Sequence, residues 1–172
     1  FTADEETSGM GVCLLRDEGA FDGAVAAVIC EPTGLCPGSC EKGCLWLEVE
    51  ALGLSSHGSR PGLGVNAIDG VTAFADGLRA AGDSGESLPL LGRTTVSLTT
   101  LAGGVKTNVI PDAATGTLDI RTLPGLGSGD VLARADRVAR ALEGQRPGLK
   151  LSLRVQNDRP SVAADLDSPF AL

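Results

Sequence analysis

Two stretches of the chain alternate between apolar and polar residues, which is the pattern of a strand with one buried face. In residues 45–51 every second side chain is apolar, with glutamates at two of the positions between, and residues 149–155 repeat the alternation. Residues 94–101 and 115–121 are rich in β-branched side chains, which favour strands. The pattern predicts four strands, each with one face in contact with solvent.

Two other segments have the apolar spacing of amphipathic helices. The apolar positions follow i, i+3, i+7 and i+10 in the first segment and i, i+4, i+7 and i+11 in the second: Ile68, Val71, Ala75 and Leu78, then Val131, Ala135, Val138 and Leu142. Ser128 is the predicted N-cap of the second helix, and Gly144 is its predicted end. Each helix presents one apolar stripe.

Over residues 45–156 the predicted elements follow the order β-α-β-β-α-β. This is the order of the ferredoxin-like fold, an α+β architecture in which two helices cover one face of a four-stranded antiparallel sheet. The edge strands of such a sheet carry unpaired backbone groups, so association with another chain is a reasonable hypothesis. The fold hosts many functions and identifies none of them.

The first 44 residues have a different pattern. Residues 24–30 are continuously apolar, with a turn at Asp22-Gly23 before them and Glu31-Pro32 after them. Such a run predicts a parallel strand that is buried on both faces. The character of the chain therefore changes near residue 44.

The charge of the chain limits its partners. With 172 residues and a formal net charge of −8, it lacks the basic surface that binding to nucleic acids or anionic membranes requires. No run approaches the ~20 apolar residues of a membrane span, and the sequence begins at Phe1 without an initiator methionine or a signal peptide. We expect a soluble chain that is a piece of a longer protein.

All five cysteines fall within the first 44 residues: Cys13, Cys30, Cys36, Cys40 and Cys44. An odd number fits poorly with a closed set of disulfides, so reduced thiols in the cytoplasm are the simpler interpretation. A thiolate metal site at Cys36, Cys40 and Cys44 is the less favoured alternative, because each gap holds three residues and paired C-x2-C hooks are absent. Small, buried, apolar cysteines are the structural alternative.

The only histidine, His57, lies in a loop of glycine and serine residues. Small residues allow the backbone to approach a ligand closely, and imidazole can donate or accept a proton near neutral pH. The loop therefore indicates a ligand-facing element. The alternative is that His57 is simply a solvated loop residue.

Three carboxylates are candidates for metal or acid–base chemistry. Glu5 and Glu6 are adjacent in an acidic triplet, and neighbouring carboxylates can divide labour, one as a metal ligand and one as a proton acceptor. The alternative for this triplet is a solvated helix N-terminus. Glu31 follows the predicted buried strand, and ligands of open parallel sheets bind at that end.

Two further candidates are suited to holding a polar substrate. The amide of Asn108 can hold a carbonyl, and the planar guanidinium of Arg121 can hold a carboxylate through two hydrogen bonds. Arg121 also has a structural alternative, which is an ion pair at the surface with Asp119 or Asp112.

The order of these segments resembles the M20 family of metallo-exopeptidases and N-acyl-amino-acid amidohydrolases. The matching landmarks are, in chain order, Asp4-Glu5-Glu6 with Gly9 and Gly11, Glu31-Pro32-Thr33, Lys42-Gly43, His57 with Pro61 and Asn66-Ala67, Gly103-Gly104 with Asn108, Pro111 and Asp112, and Asp119, Arg121 and Pro124. The resemblance covers most of the chain and looks closest to the branch of acetylornithine deacetylase and succinyl-diaminopimelate desuccinylase.

The resemblance implies three segments: residues 1–44 as a fragment of an α/β catalytic domain, residues 45–157 as the dimerisation or lid domain, and residues 158–172 as a linker returning to the catalytic domain. The implied activity is zinc-dependent cleavage of the amide bond in an N-acyl amino acid or small peptide. Glu5 would be the general base, and Glu6 and Glu31 would each ligate one of two zinc ions. His57, Asn108 and Arg121 would contact the substrate, with His57 reaching the active site of the partner subunit.

The chain departs from the family pattern because His57 is the only histidine, so an upstream His-x-Asp motif and a late metal-binding histidine are absent. Glu6 and Glu31 alone fall short of the three or four ligands that hold catalytic zinc. We therefore expect a cytoplasmic, homodimeric fragment without turnover and with weak or no metal binding. In the whole enzyme cobalt or manganese could replace zinc. The alternative is a non-catalytic dimerisation or binding module with the ferredoxin-like fold.

Overall fold

The computed structural model describes residues 9–30, 32, 34–35, 38–82 and 87–164. The chain divides into two compact units, one formed by Phe1–Pro37 with Leu166–Leu172 and the other by Gly38–Asp165. The domain boundaries at residues 44 and 157 that the sequence suggested stay a prediction.

The first unit contains helix α1, Met10–Asp17, none of whose residues is buried. Residues 24–30 form neither helix nor strand and are exposed, with Ile29 at 77% of its full accessibility. The prediction of a strand buried on both faces is therefore wrong for this chain. Such a strand needs a neighbour on each side and cover on each face, and the described residues of this unit form no strand at all.

The second unit holds every strand among the described residues. The elements, in chain order, are β1 Cys40–Glu41, β2 Gly43–Leu52, β3 Ser56–His57, a 3-10 helix at Pro61–Leu63, α2 Ala67–Gly82, β4 Thr95–Gly103, β5 Val109–Ile110, β6 Ala113–Thr122, α3 Ser128–Gln145, β7 Lys150–Arg159 and β8 Val162–Ala163.

The four long strands form one antiparallel sheet in the order β4-β6-β2-β7. Two short ladders, β1 with β8 and β3 with β5, accompany it. The predicted α+β architecture, a four-stranded antiparallel sheet with the ferredoxin-like order of elements, is confirmed. The strands begin and end within about four residues of their predicted positions, as expected from the alternation of their side chains.

One face of the sheet is buried under α2 and α3. Alternate residues of the central strands β2 and β6 point to this face and pack with the apolar stripes of both helices: Leu45, Leu47, Val49, Ala51, Ala114, Leu118 and Ile120 from the strands, and Ala67, Val71, Phe74, Ala75, Leu78, Val131, Ala135 and Ala139 from the helices. The other face carries polar side chains. The period of two in β2 and β6 therefore decides which side becomes the core.

Side chains define where both helices begin. The Asn66 side-chain oxygen accepts hydrogen bonds from the N–H groups of Ile68 at 2.9 Å and Asp69 at 3.4 Å, which caps α2. In α3 the predicted N-cap, Ser128, is instead the first helical residue, and Gly127 is the N-cap. The Gly127 N–H donates to the Asp130 carboxylate at 3.3 Å, and this bond moves the start by one residue.

The end of α3 also differs from its prediction, because the helix continues past Gly144 to Gln145. Within the described ranges, none of the helices combines the length and the apolar content that crossing a membrane requires.

Replacing Leu47 by alanine should lower the free energy of unfolding by about 3–5 kcal/mol, because its fully buried side chain leaves a cavity in the middle of the core. The matched control is Leu52→Ala on the same strand, where the side chain is 49% exposed and the cost should stay below about 1 kcal/mol. Urea unfolding followed by the fluorescence of Trp46, the only tryptophan, measures both. Equal losses would contradict the assignment of the buried face.

Candidate functional site

His57 and Asn108 lie side by side in two turns that a short ladder joins. The ladder pairs His57 of β3 with Val109 of β5, the residue that follows Asn108. The N–H of Gly58 donates to the carbonyl oxygen of Asn108 at 2.8 Å. Two candidates that are 51 positions apart in the sequence are thus held together through backbone bonds.

Glycines make this close approach of backbones possible. A Cβ atom on Gly53 would lie 2.0 Å from the Val65 carbonyl oxygen, and one on Gly58 would lie 3.3 Å from that of Asn108. Next to Gly53, Leu54 and Val65 exchange two backbone hydrogen bonds of 3.0 and 2.9 Å, which close the base of the loop that carries His57. The small residues that mark this loop in the sequence therefore have a packing role.

The imidazole of His57 is exposed and is oriented by its own turn. Its Nδ1 atom accepts a hydrogen bond from the Ser59 N–H at 3.2 Å and lies 2.8 Å from the Ser59 hydroxyl oxygen. The Arg60 N–H donates to the His57 carbonyl at 2.8 Å and closes the turn. Ser59, which sequence reasoning did not single out, is the residue that touches the imidazole.

The two turns are positively charged in an otherwise acidic chain. They carry the exposed side chains of Arg60 and Lys106, and residues 53–66 and 103–111 contain no aspartate or glutamate. The chain as a whole has a formal net charge of −8. The two turns thus contribute two cationic side chains, and Asp112 directly follows the second turn.

Arg121 lies on the open face of the sheet, in register with Cys44 of β2 and Thr95 of β4. Its Nε and Nη2 atoms donate to the two oxygens of Asp119 at 2.7 and 3.0 Å. The Trp46 indole also donates to Asp119, at 3.2 Å. The pair with Asp119, one of the two structural alternatives, is therefore formed, and its hydrogen bonds raise the pKa of Arg121 above its ordinary value.

The structure does not bring Arg121 to the other two candidates. Asn108 precedes the first residue of β6, and Arg121 is the next-to-last residue of that strand. At ~3.3 Å per residue, the strand separates the Cα atoms of Ala113 and Arg121 by about 26 Å. One substrate of amino-acid size cannot touch both ends of the sheet within a single chain.

The three carboxylate candidates Glu5, Glu6 and Glu31 lie outside the described residues. Among the residues that are described, no group of three or more His, Cys, Asp or Glu side chains is placed to hold a metal ion. The described part of the chain therefore does not fit a catalytic metal centre.

Four of the cysteines fall within the described residues, and all four are free thiols. Cys44 is buried, as the structural alternative anticipated, and its sulfur accepts a hydrogen bond from the Asn157 amide at 3.5 Å. Cys40 is half-buried, and Cys13 and Cys30 are exposed. Both belong to the first unit, whose described residues contribute nothing to the core cluster.

The comparison with protein families matches residues 40–146 to the family model described as the peptidase dimerisation domain of the M20 type. The chain is 31% identical to the acetylornithine deacetylase of Myxococcus xanthus over 90% of this chain and 42% of that protein. It is 28% identical to a probable succinyl-diaminopimelate desuccinylase of Staphylococcus epidermidis over 98% of this chain and 47% of that protein.

A probable carboxypeptidase of Aspergillus terreus is 31% identical over 81% of this chain and 35% of that protein. Among solved structures, a putative aminohydrolase from methicillin-resistant Staphylococcus aureus has a similar fold, with a TM-score of 0.62 and 23% identity over 76% of this chain and 34% of that one. The chain thus spans between a third and a half of the length of these relatives.

Replacing Gly53 by alanine should destabilise the second unit by about 1–3 kcal/mol and displace the His57 loop, because the new methyl group collides with the Val65 carbonyl. Gly62→Ala in the same loop is the matched control, since a Cβ there meets nothing within 4 Å. Urea unfolding measures the loss of stability, and the proton NMR signals of the single imidazole report the displacement of the His57 loop. Equal behaviour of the two variants would contradict the described loop.

Proposed function

Since this chain belongs to the M20 peptidase family through its peptidase dimerisation domain, we propose that it is part of a hydrolase that cleaves the amide bond of an N-acyl amino acid or a small peptide. The observation that carries the proposal is the pairing of His57 with Asn108 on an exposed, positively charged loop. The activity is proposed for the whole protein, of which this chain covers the dimerisation domain and adjoining segments.

In this proposal His57 stabilises the transition state. When water attacks an amide, the carbonyl oxygen gains negative charge, and a donor placed there in advance contributes about 3 kcal/mol. An exposed imidazole N–H suits this role. The side-chain amide of Asn108, held next to it, would bind another polar group of the substrate, and Glu5 would accept the proton of the attacking water.

The substrate is expected to carry a carboxylate near the scissile bond. Arg60 and Lys106 belong to the same two turns as His57 and Asn108, and residues 53–66 and 103–111 contain no acidic side chain. Arg121 would hold the α-carboxylate of the substrate with the donors that its pair with Asp119 leaves free. N-acyl amino acids and peptides with free carboxyl termini fit these charges.

The zinc ions remain a proposal for the whole protein. Glu6 and Glu31 would give each of two ions one ligand, whereas catalytic zinc is held by three protein ligands. The remaining ligands would have to come from outside this chain. Action in the cytoplasm, which the reduced cysteines suggested, likewise stays a prediction.

The difference between the two edges of the sheet supports a homodimer. The edge strand β7 carries four charged residues, Lys150, Arg154, Asp158 and Arg159, and charge protects an edge from pairing. The edge strand β4 has no charged residue along its nine positions. We therefore assign β4 to the contact between two copies.

A dimer would also explain how His57 and Asn108 can act with Arg121, although they lie at opposite ends of the sheet. In a symmetric pair each subunit presents both ends of its sheet, so one site can combine His57 and Asn108 of one subunit with Arg121 of the other. This arrangement makes dimerisation a condition for activity.

The second candidate function is a dimerisation module without chemistry of its own. Two observations favour it: the guanidinium of Arg121 is already engaged by Asp119, and the described residues contain no group that fits a metal ion. The tests below separate it from the hydrolase.

Leu101→Lys on β4 should raise the dissociation constant of the dimer by at least about tenfold, because it brings two like charges together at the contact. Val155→Lys on β7 is the matched control, since Leu101 and Val155 are 43% and 42% exposed and both lie on edge strands. Sedimentation equilibrium measures both constants. A dimer that weakens equally in both variants, or only with Val155→Lys, would exclude β4 as the contact.

In the whole protein, His57→Ala should lower turnover of N-acyl amino acids by about 10²–10³, because an oxyanion donor is lost. Arg121→Ala should raise KM strongly, because the substrate loses its carboxylate partner. Ser152→Ala, on the open face of the opposite edge strand, is the control that leaves both parameters unchanged.

Mixing the His57→Ala and Arg121→Ala variants, at a substrate concentration too low for Arg121→Ala to turn over, tests whether one site takes residues from two subunits. After subunits exchange, half of the dimers are mixed, and each mixed dimer has one intact site, so about a quarter of the normal activity should return. No recovery despite exchange would show that His57 and Arg121 of one chain serve the same site. A whole protein that stays inactive with zinc or cobalt would leave only the dimerisation module.

A further inference from the structure

We propose that Ser59 is a positioning residue that fixes the tautomer of His57, so that the neutral imidazole carries its proton on Nε2. The catalytic meaning of this inference rests on the proposed function, whereas the tautomer is a property of this chain alone. It follows from the turn formed by residues 57–60, which the Arg60 N–H closes by donating to the His57 carbonyl at 2.8 Å.

The decisive contact is the backbone amide of Ser59. Its N–H donates to Nδ1 of His57 at 3.2 Å. An amide nitrogen carries one hydrogen and accepts none, so the atom that faces it has to offer a lone pair. A proton on Nδ1 would point at the amide hydrogen and break this bond.

The Ser59 hydroxyl, whose oxygen lies 2.8 Å from Nδ1, adapts to either tautomer. A hydroxyl can rotate to donate or to accept, whereas the direction of the amide N–H is fixed by the turn. Only the tautomer with an unprotonated Nδ1 satisfies the amide and the hydroxyl together. The single ring proton of the neutral imidazole is then on Nε2.

The consequence is a directed donor at the loop surface. No hydrogen bond involves Nε2 within the part of the chain that the structure describes, and the side chain is exposed. Ser59 thus leaves the Nε2–H group free to meet an oxygen atom that gains negative charge. The same geometry makes neutral His57 a donor rather than a proton acceptor on its exposed side.

The full chain offers a direct test, because His57 is its only histidine. In protein labelled with ¹⁵N-histidine, the two ring nitrogens give one pair of signals, whose shifts report the tautomer at about pH 9, where an imidazole is neutral. The ratio of the Nε2–H to the Nδ1–H form should be about fivefold higher in the folded chain than in urea, the equivalent of about 1 kcal/mol. Uniformly labelled protein should also show a coupling through the hydrogen bond between the Ser59 amide nitrogen and Nδ1.

Two variants separate the amide from the hydroxyl. Ser59→Ala keeps the amide, so the coupling should persist. Ser59→Pro removes the only fixed donor, so the coupling should vanish and the tautomer ratio should fall to the value measured in urea. The fluorescence of Trp46 checks that both variants are folded.

The folded unsubstituted chain alone decides the question, even if Ser59→Pro fails to fold. No coupling, together with a tautomer ratio equal to that in urea, would overturn the inference. The result is also independent of the proposed function. A fixed tautomer in a whole protein that His57→Ala leaves fully active would refute the catalytic role of His57 and not the role of Ser59.

Discussion

The structure depends on the burial of one face of the β4-β6-β2-β7 sheet beneath α2 and α3. The strand β6 alternates strictly along its ten residues and β2 alternates from Leu45 to Leu52, so a shift of their register by one position would expose the whole core face. Only one register therefore buries the core face, and in this register Leu47 lies opposite Leu118. This register decides which residues lie together at each end of the sheet.

The candidate site is a consequence of this register. Leu52 and Ala113 are paired at one end of β2 and β6, so the loops that continue from them start close together. Glycines then let the backbones of those loops approach within hydrogen-bonding distance, and the β3–β5 ladder joins His57 to the neighbour of Asn108. The same register places Arg121 opposite Cys44, at the far end. A rigid sheet thus separates two groups of polar residues that are suited to one substrate, and in the proposed dimer a second copy of the chain would supply the missing half.

Much of the fold could be predicted because its signals are local. The period of two in the strands and the helical spacing in α2 and α3 follow from residues that are neighbours in sequence. The errors arose where a distant partner decides the outcome. Residues 24–30 have the composition of a buried strand but no strand beside them among the described residues of their unit, and they are exposed. The carboxylate of Asp130 accepts a hydrogen bond from the Gly127 N–H, so α3 begins one residue earlier than its predicted start.

By itself, the sequence determined the order of elements, the face that each strand and helix buries, and the residue types available for chemistry, because these depend on composition and period. The tertiary structure alone decided which candidates meet. It brought His57 next to Asn108, which is 51 positions away in the sequence. It also paired the Arg121 guanidinium with Asp119 and let the Ser59 amide donate a hydrogen bond to the imidazole of His57. Contacts of this kind depend on the register of the sheet and on the path of the turns, which are fixed only when the whole core closes.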